Sequence, residues 1–252
     1  MTHNYPALRM EAIVKRFGGT LALNHVNFSV DKGEIHALTG ENGAGKSTLM
    51  KILAGIYRKD EGKIYIDGKE VSIKNPIDSL NLGIAFVHQF PYLIPNFNVA
   101  QNIFLGREPF NQIVRKIKWK DIYMKAESIL LNLQVDLPLK EYVKNLTSAE
   151  KQELSIVCAL SMDPQIIVFD EPTASLTFKE VNRLFKIILS LKKKNITIIY
   201  ISHRLDEVFQ ISDRITVLRD GKTIGTVNVE ESSTNEIIHM MIGSYLKPTE
   251  KE

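Results

Sequence analysis

Eight residues constrain the fold of this chain more than any others. Gly40-Glu41-Asn42-Gly43-Ala44-Gly45-Lys46-Ser47 match the pattern G-x-x-x-x-G-K-[ST]. They stand between the apolar, strand-like run Glu34 to Thr39 and the helix-like run Thr48-Leu49-Met50-Lys51-Ile52-Leu53. Glycines allow successive backbone N–H groups to turn inward on phosphates, the helix N-terminus adds a favourable dipole, and Lys46 supplies a compact positive charge. Ser47 offers a hydroxyl to Mg²⁺, and Thr48 follows it into the helix as a further candidate contact. The competing reading, a glycine turn that only caps a structural helix, lacks a reason for the lysine.

The remaining pattern is α/β. Glu34 to Thr39, Ile166 to Phe169 and Thr197 to Ile201 are too uniformly apolar to be half exposed, and read as central parallel strands. Asp67-Gly68 and Asp220-Gly221 are hairpin signals, so antiparallel pieces flank that sheet. From about Pro91 to Met162 the periodicity is helical, at Ile122, Ala126, Ile129, Leu130 and Leu133, with no convincing strand. Ser233-x-x-Glu236 opens a short closing helix that Gly243 stops, and the polar tail Lys247 to Glu252 is linker-like.

Composition limits the function classes. Thirty-two Lys plus Arg against 29 Asp plus Glu leave a charge of only +3, too small to demand a nucleic-acid or acidic-membrane partner, and no nucleic-acid partner is expected. The one cysteine, Cys158, lies in the apolar run Ile156 to Leu160, which points to burial and excludes an intrachain disulfide. Five residues is the longest apolar run, against roughly 20 needed to cross a bilayer. The start, Met1 to Pro6, shows no basic and apolar leader, which suggests a cytoplasmic chain.

Two further groups carry chemistry. Asp170 and Glu171 end the Ile166 strand, where alternation sends neighbouring side chains apart. Asp170 suits Mg²⁺ through its water shell, and Glu171 suits polarisation of an attacking water. Acids decorating the start of a helix at Pro172 are the plainer alternative. His203 follows the Thr197 strand and Gln89 follows the Ile84 to Val87 run, both at a sheet edge where ligands collect in open α/β folds.

Taken in this order, the residues resemble the nucleotide-binding domain of an ATP-binding cassette (ABC) transporter, over nearly the whole chain. The resemblance implies ATP and Mg²⁺. It implies that Phe17 stacks on adenine, that Gln89 is the Q-loop glutamine near metal and γ-phosphate, that Asp170 and Glu171 are the Walker B pair, and that His203 is the switch histidine. It also implies a P-loop NTPase (RecA-like) core with an antiparallel β subdomain over 1–90 and 162–245. A helical subdomain over 91–161 and a tail or linker over 246–252 complete that layout. Val99 to Glu108 and Glu171 to Thr177 look most like bacterial monosaccharide importers of the ribose, galactose and xylose kind, in which two cassettes often lie in tandem. The partners so implied are a second cassette, membrane permease subunits on the cytoplasmic face and, indirectly, a sugar-binding protein outside the membrane. Contact with the permease is expected beside Gln89 and Pro91 to Pro95, although Tyr92 and Leu93 read equally as ordinary core.

The sequence departs from the family in two places. Thr177 replaces the usual D-loop aspartate, and Leu146-Thr147-Ser148-Ala149-Glu150 stands where Leu-Ser-Gly-Gly-Gln is usual. The second change removes both glycines and adds a negative charge where a phosphate would approach. Thr147-x-x-Glu150 still makes a good capping box for a helix to Leu160. The expectation is an asymmetric composite site, with a glycine-rich signature supplied by a non-identical cassette. The alternative is a nucleotide-gated assembly or regulatory subunit with little turnover.

Overall fold

The computed structural model describes residues 5–111 and 116–243. Residues 1–4 and the linker-like tail, Lys247 to Glu252, lie outside the described residues. In chain order the first half runs β1 (Leu8–Phe17), β2 (Thr20–Val30), β3 (Ile35–Thr39), α1 (Lys46–Leu53), β4 (Glu61–Ile66), β5 (Lys69–Val71), α2 (Pro76–Asn81) and β6 (Ile84–Val87). There follow α3 (Val99–Ile103), β7 (Phe110–Asn111), β8 (Lys116–Ile117), α4 (Trp119–Leu133) and α5 (Ser148–Leu160). The last part is β9 (Ile166–Asp170), α6 (Phe178–Lys193), β10 (Thr197–Ile201), α7 (Leu205–Ile211), β11 (Arg214–Arg219), β12 (Lys222–Asn228) and α8 (Thr234–Ile242).

A six-stranded sheet in the order β12-β11-β3-β10-β9-β6 forms the centre. Its strands are parallel except at the β12 edge, which pairs antiparallel with β11 through the Asp220-Gly221 turn. Both faces are covered, which is why these strands are apolar at every step. In β9, Ile167 and Phe169 pack into one core cluster while Ile166 and Val168 pack into the other. Ile198 and Tyr200 of β10 divide from Ile199 and Ile201 in the same way.

One face carries α1 and a second, antiparallel sheet in the order β2-β1-β4-β5, closed by the Asp67-Gly68 turn. The other face carries the helices of the 91–161 segment and α6. The expected stripe on α4 points inward: Ile122, Ala126, Leu130 and Leu133 are buried, and Ile129 packs against the same cluster half-buried. This segment is not free of strand, however, because β7 and β8 form a small antiparallel pair. Two residues on each side are too few to leave a period-2 signature. Ser233 caps α8 by accepting the Glu236 N–H at 3.2 Å, and Gly243 ends the helix at φ 81°.

Cys158 packs against the core cluster, so the burial its apolar run suggests is met in large part. It keeps part of its surface on a groove, while burial of the sulfur pushes its thiol up to about 12. No helix among the described residues is long and apolar enough to cross a membrane.

Candidate phosphate and metal site

The glycine loop leaves β3 and enters α1 with Gly40, Gly43 and Gly45 at φ 151°, 86° and 107°. A Cβ on Gly40 would lie 2.2 Å from the Leu218 carbonyl oxygen, so no larger residue fits there. The Asp220-Gly221 turn braces the loop from behind: Gly221 N–H donates to the Ala44 carbonyl at 3.1 Å, and Asn24 N–H donates to Gly221 at 2.7 Å. Gly45 is the N-cap of α1 and carries no capping side chain, which leaves the first helical N–H groups open toward the loop. Glu41 and Asn42 stand exposed along this loop, with Ser47 exposed and Thr48 half-buried in the first turn of α1.

Lys46 is 6% exposed, and its ammonium donates to the Gly40 and Glu41 carbonyls at 2.7 and 3.0 Å. Burial draws its pKa below the usual lysine range, against the opposing pull of Glu171 and Asp170. Burial likewise raises Asp170 above the usual carboxylate range, with His88 as the largest opposing influence and Glu171 reinforcing the rise. A positive and two negative groups thus share one poorly solvated neighbourhood, where added charge is felt strongly.

Ser47, Gln89 and Asp170 all line one cavity of about 340 Å³, together with Lys51 and His88. Among the described residues, no group of three or more His, Cys, Asp or Glu could hold a metal ion alone. A hydroxyl, an amide and one carboxylate beside a phosphate cradle are the sparse oxygen set that Mg²⁺ tolerates, since it keeps waters and phosphate oxygens as its other ligands. These residues therefore fit the ion.

Glu171 departs from β9 at φ 46°, a left-handed conformation that costs a residue with a Cβ about 1–2 kcal/mol. Its N–H donates to the Ile201 carbonyl at 3.0 Å, which ties the end of β9 to the end of β10. Its Oε1 meets the Nδ1 of His203 at 3.1 Å. The left-handed turn takes Glu171 out of the strand's alternation, and its carboxylate meets the imidazole.

Phe17 ends β1 with its ring 42% exposed, packed edge-on against Tyr57 at 5.1 Å between centroids. It does not line the cavity that joins Ser47, Gln89 and Asp170; its neighbour Tyr57 has its ring 5.5 Å from the Lys51 ammonium, which does line it. Sequence reading missed Lys51, Tyr57 and His88. Lys51 was legible, since it lies four residues beyond Ser47 and so shares its helix face.

The segment Thr147 to Glu150 starts α5 as expected, with a complete capping box. The Glu150 carboxylate accepts from the Thr147 N–H at 2.7 Å and its hydroxyl at 2.9 Å, and Glu150 N–H donates to the Thr147 hydroxyl at 3.3 Å. Thr177 caps α6 in a similar way, giving its N–H and hydroxyl to Glu180 at 2.7 and 2.8 Å.

The sequence pattern of ABC transporters matches residues 23–174. The chain belongs to the ABC transporter family. This cassette is 47% identical over 242 residues to the ribose import ATP-binding protein of Caldanaerobacter subterraneus subsp. tengcongensis, covering 96% of this chain and 49% of that protein. It is also 47% identical over 244 residues to the ribose import ATP-binding protein of Clostridium tetani, covering 96% of this chain and 48% of that one. The cassette therefore spans about half the length of these curated relatives. Its fold is that of solved cassettes: the ADP conformation of MJ1267, an ATP-binding cassette of an ABC transporter, superposes with a TM-score of 0.80 at 29% identity, covering 95% of this chain and 99% of that one. CbiO1 from Clostridium perfringens gives 0.79 at 27% identity, covering 93% of each.

Proposed function

We propose that this chain binds and hydrolyses MgATP as one cassette of a bacterial importer for monosaccharides. One observation carries the reading. Along one sheet edge, an open glycine loop with Lys46, a cavity joining Ser47, Gln89 and Asp170, and the Glu171–His203 pair succeed one another. A subunit that used nucleotide only to assemble would have no need of a strained carboxylate paired with an imidazole.

In this reading the open amides of the loop and of α1 receive the phosphates, and Phe17 offers the exposed part of its ring to the adenine. Lys46 exchanges its two loop carbonyls for phosphate oxygens, which are better partners for an ammonium. Bound at Ser47, Gln89 and Asp170, Mg²⁺ would neutralise phosphate charge. Glu171 orients the attacking water, and His203 holds that carboxylate in place and faces the γ-phosphate.

The groove on the other side of His88 supports a permease partner. It holds about 330 Å³ and is lined by Ile56, Leu80, Tyr92, Leu93, Leu105 and Met162. Tyr92 is 86% exposed and so is not core, whereas Leu93 packs half-buried on the central cluster. An apolar surface of this kind is covered in a working protein, here by a cytoplasmic segment of a permease on the inner face of the membrane. A sugar-binding protein would engage the same permease from outside.

The composite site would be asymmetric, since the start of α5 is closed by its own side chains. A second, non-identical cassette would offer the open signature, on the same full-length chain or a separate one. The deciding measurement is ATP turnover of this chain across a wide concentration range, with Lys46→Ala as the control. Activity at the control level throughout is expected for the chain alone, and addition of a glycine-rich partner cassette should raise it. Turnover that climbs steeply with concentration would mean that Thr147 to Glu150 completes a homodimeric site.

A further inference from the structure

Behind the Glu171–His203 pair lies a carboxylate that the mechanism does not use. Glu207, on α7, is 2% exposed, and three hydroxyls donate to its Oε2: Thr173 at 2.8 Å, Tyr200 at 2.7 Å and Ser202 at 3.3 Å. Its Oε1 lies 2.8 Å from the Arg204 guanidinium as an ion pair, and Ser202 in turn accepts the Arg204 N–H at 3.0 Å. Thr173, Tyr200 and Ser202 are themselves 3%, 0% and 2% exposed. Burial drives the Tyr200 hydroxyl above the usual tyrosine range, so it stays a donor.

The three hydroxyls come from two pieces of chain, Thr173 after β9 and Tyr200 with Ser202 at the end of β10. Thr173 is two residues beyond Glu171, Ser202 directly precedes His203, and Tyr200 lies inside β10, where the sheet already holds it. The β9–β10 ladder ends at the Asp170–Ile201 pair, so the loops bearing Glu171 and His203 leave the sheet just where they must keep a 3.1 Å contact. A buried carboxylate needs several partners to be tolerated at all. Here two of those partners sit on the two loops, and one oxygen fixes both.

We infer that Glu207 is a positioning residue for hydrolysis: it clamps the Glu171 loop to the His203 loop through Thr173 and Ser202. The inference rests on the hydrolytic reading above. The Tyr200 bond is a built-in control, because it meets the same oxygen without holding a loop.

The test compares steady-state ATP turnover, KM for MgATP and Tm in the full-length protein assembled with its partner cassette. Thr173→Val and Ser202→Ala should each lower kcat about tenfold while KM stays within about twofold. Tyr200→Phe should lower Tm and leave kcat unchanged. Glu207→Gln, which keeps an acceptor oxygen for the hydroxyls, should retain much more activity than Glu207→Leu; the two loop variants decide the matter if Glu207→Leu does not fold. Loop variants as fast as wild type, or a Tyr200→Phe variant as slow as the loop variants, would overturn the clamp alone. A wild type no faster than Lys46→Ala would overturn the hydrolytic reading and the clamp with it.

Discussion

Two helix starts in this cassette have been treated in opposite ways. At α1 the N-cap is Gly45, with no side chain to cover the first N–H groups, and no acid sits in the first turn. At α5 the cap is Thr147, and Glu150 closes a reciprocal box over the same kind of groups. A helix N-terminus attracts anions only through donors that remain free. The first start forgoes about 1 kcal/mol of capping and leaves its donors uncapped, whereas the second takes the capping and commits the Thr147 and Glu150 N–H groups to its own side chains. Of these two helix starts, one is thus uncapped and one carries a complete capping box.

The largest effect should come from removing chemistry at the open side. Glu171→Gln keeps the shape that meets His203 but loses the charge that orients water, so turnover should fall by about 10²–10⁴-fold with MgATP affinity retained. Equal turnover by wild type and variant, in single-turnover assays with the partner cassette, would remove Glu171 from the mechanism. Lys46→Ala comes next. It deletes charge-assisted hydrogen bonds of about 1.5–3 kcal/mol, and calorimetric titration should show affinity weaker by one to two orders of magnitude. An unchanged titration would mean that the loop binds no phosphate, and the contrast between the two helices would lose its meaning.

Opening α5 breaks the comparison directly. The triple change Ser148→Gly, Ala149→Gly, Glu150→Gln removes the negative charge that accepts from Thr147 and both side chains over the first turn, with Thr147 kept as the N-cap. It should cost about 1–3 kcal/mol of stability, from the weakened box and two glycines in the first turn, and thermal melting would report it. In exchange, turnover of the isolated chain should become dependent on its concentration, as two open starts can then serve two loops. A triple variant that melts earlier yet stays at the Lys46→Ala level of turnover would show that closure of α5 is not what limits a homodimer.

The open side was the legible one, because its donors are arranged by residues that are adjacent in sequence. Gly40 to Ser47 could be read directly, and so could the β9 and β10 runs, since burial on both faces leaves an unbroken apolar word. The β1–β2 hairpin was not read. Ala12 and His25 take left-handed φ of 48° and 52°, and the pairing shifts register between Met10 and Ile13 and again before Lys15, so the period-2 pattern is broken where it would be sought. Contacts across long separations were equally silent. Phe17 meets Tyr57 and Thr173 meets Glu207 only after the sheets have formed, and neither pair has a spacing that marks it.

Phe17 gives the smallest expected effect and the sharpest use of it. Its ring packs edge-on to Tyr57, and the Lys15 ammonium lies 5.4 Å from its centroid, so part of the ring is committed to the protein. Phe17→Ala should therefore lose about 1–3 kcal/mol of base stacking, with a small stability loss because the side chain is already 42% exposed. Stacking needs only a π-face, so ATP and GTP affinities should fall together, while inorganic triphosphate, which engages only the loop and α1, should bind as before. Equal losses for triphosphate would place Phe17 in support of the loop. Unchanged affinities for all three ligands would make it ordinary packing on Tyr57, and nucleotide recognition would then rest entirely on the open helix start.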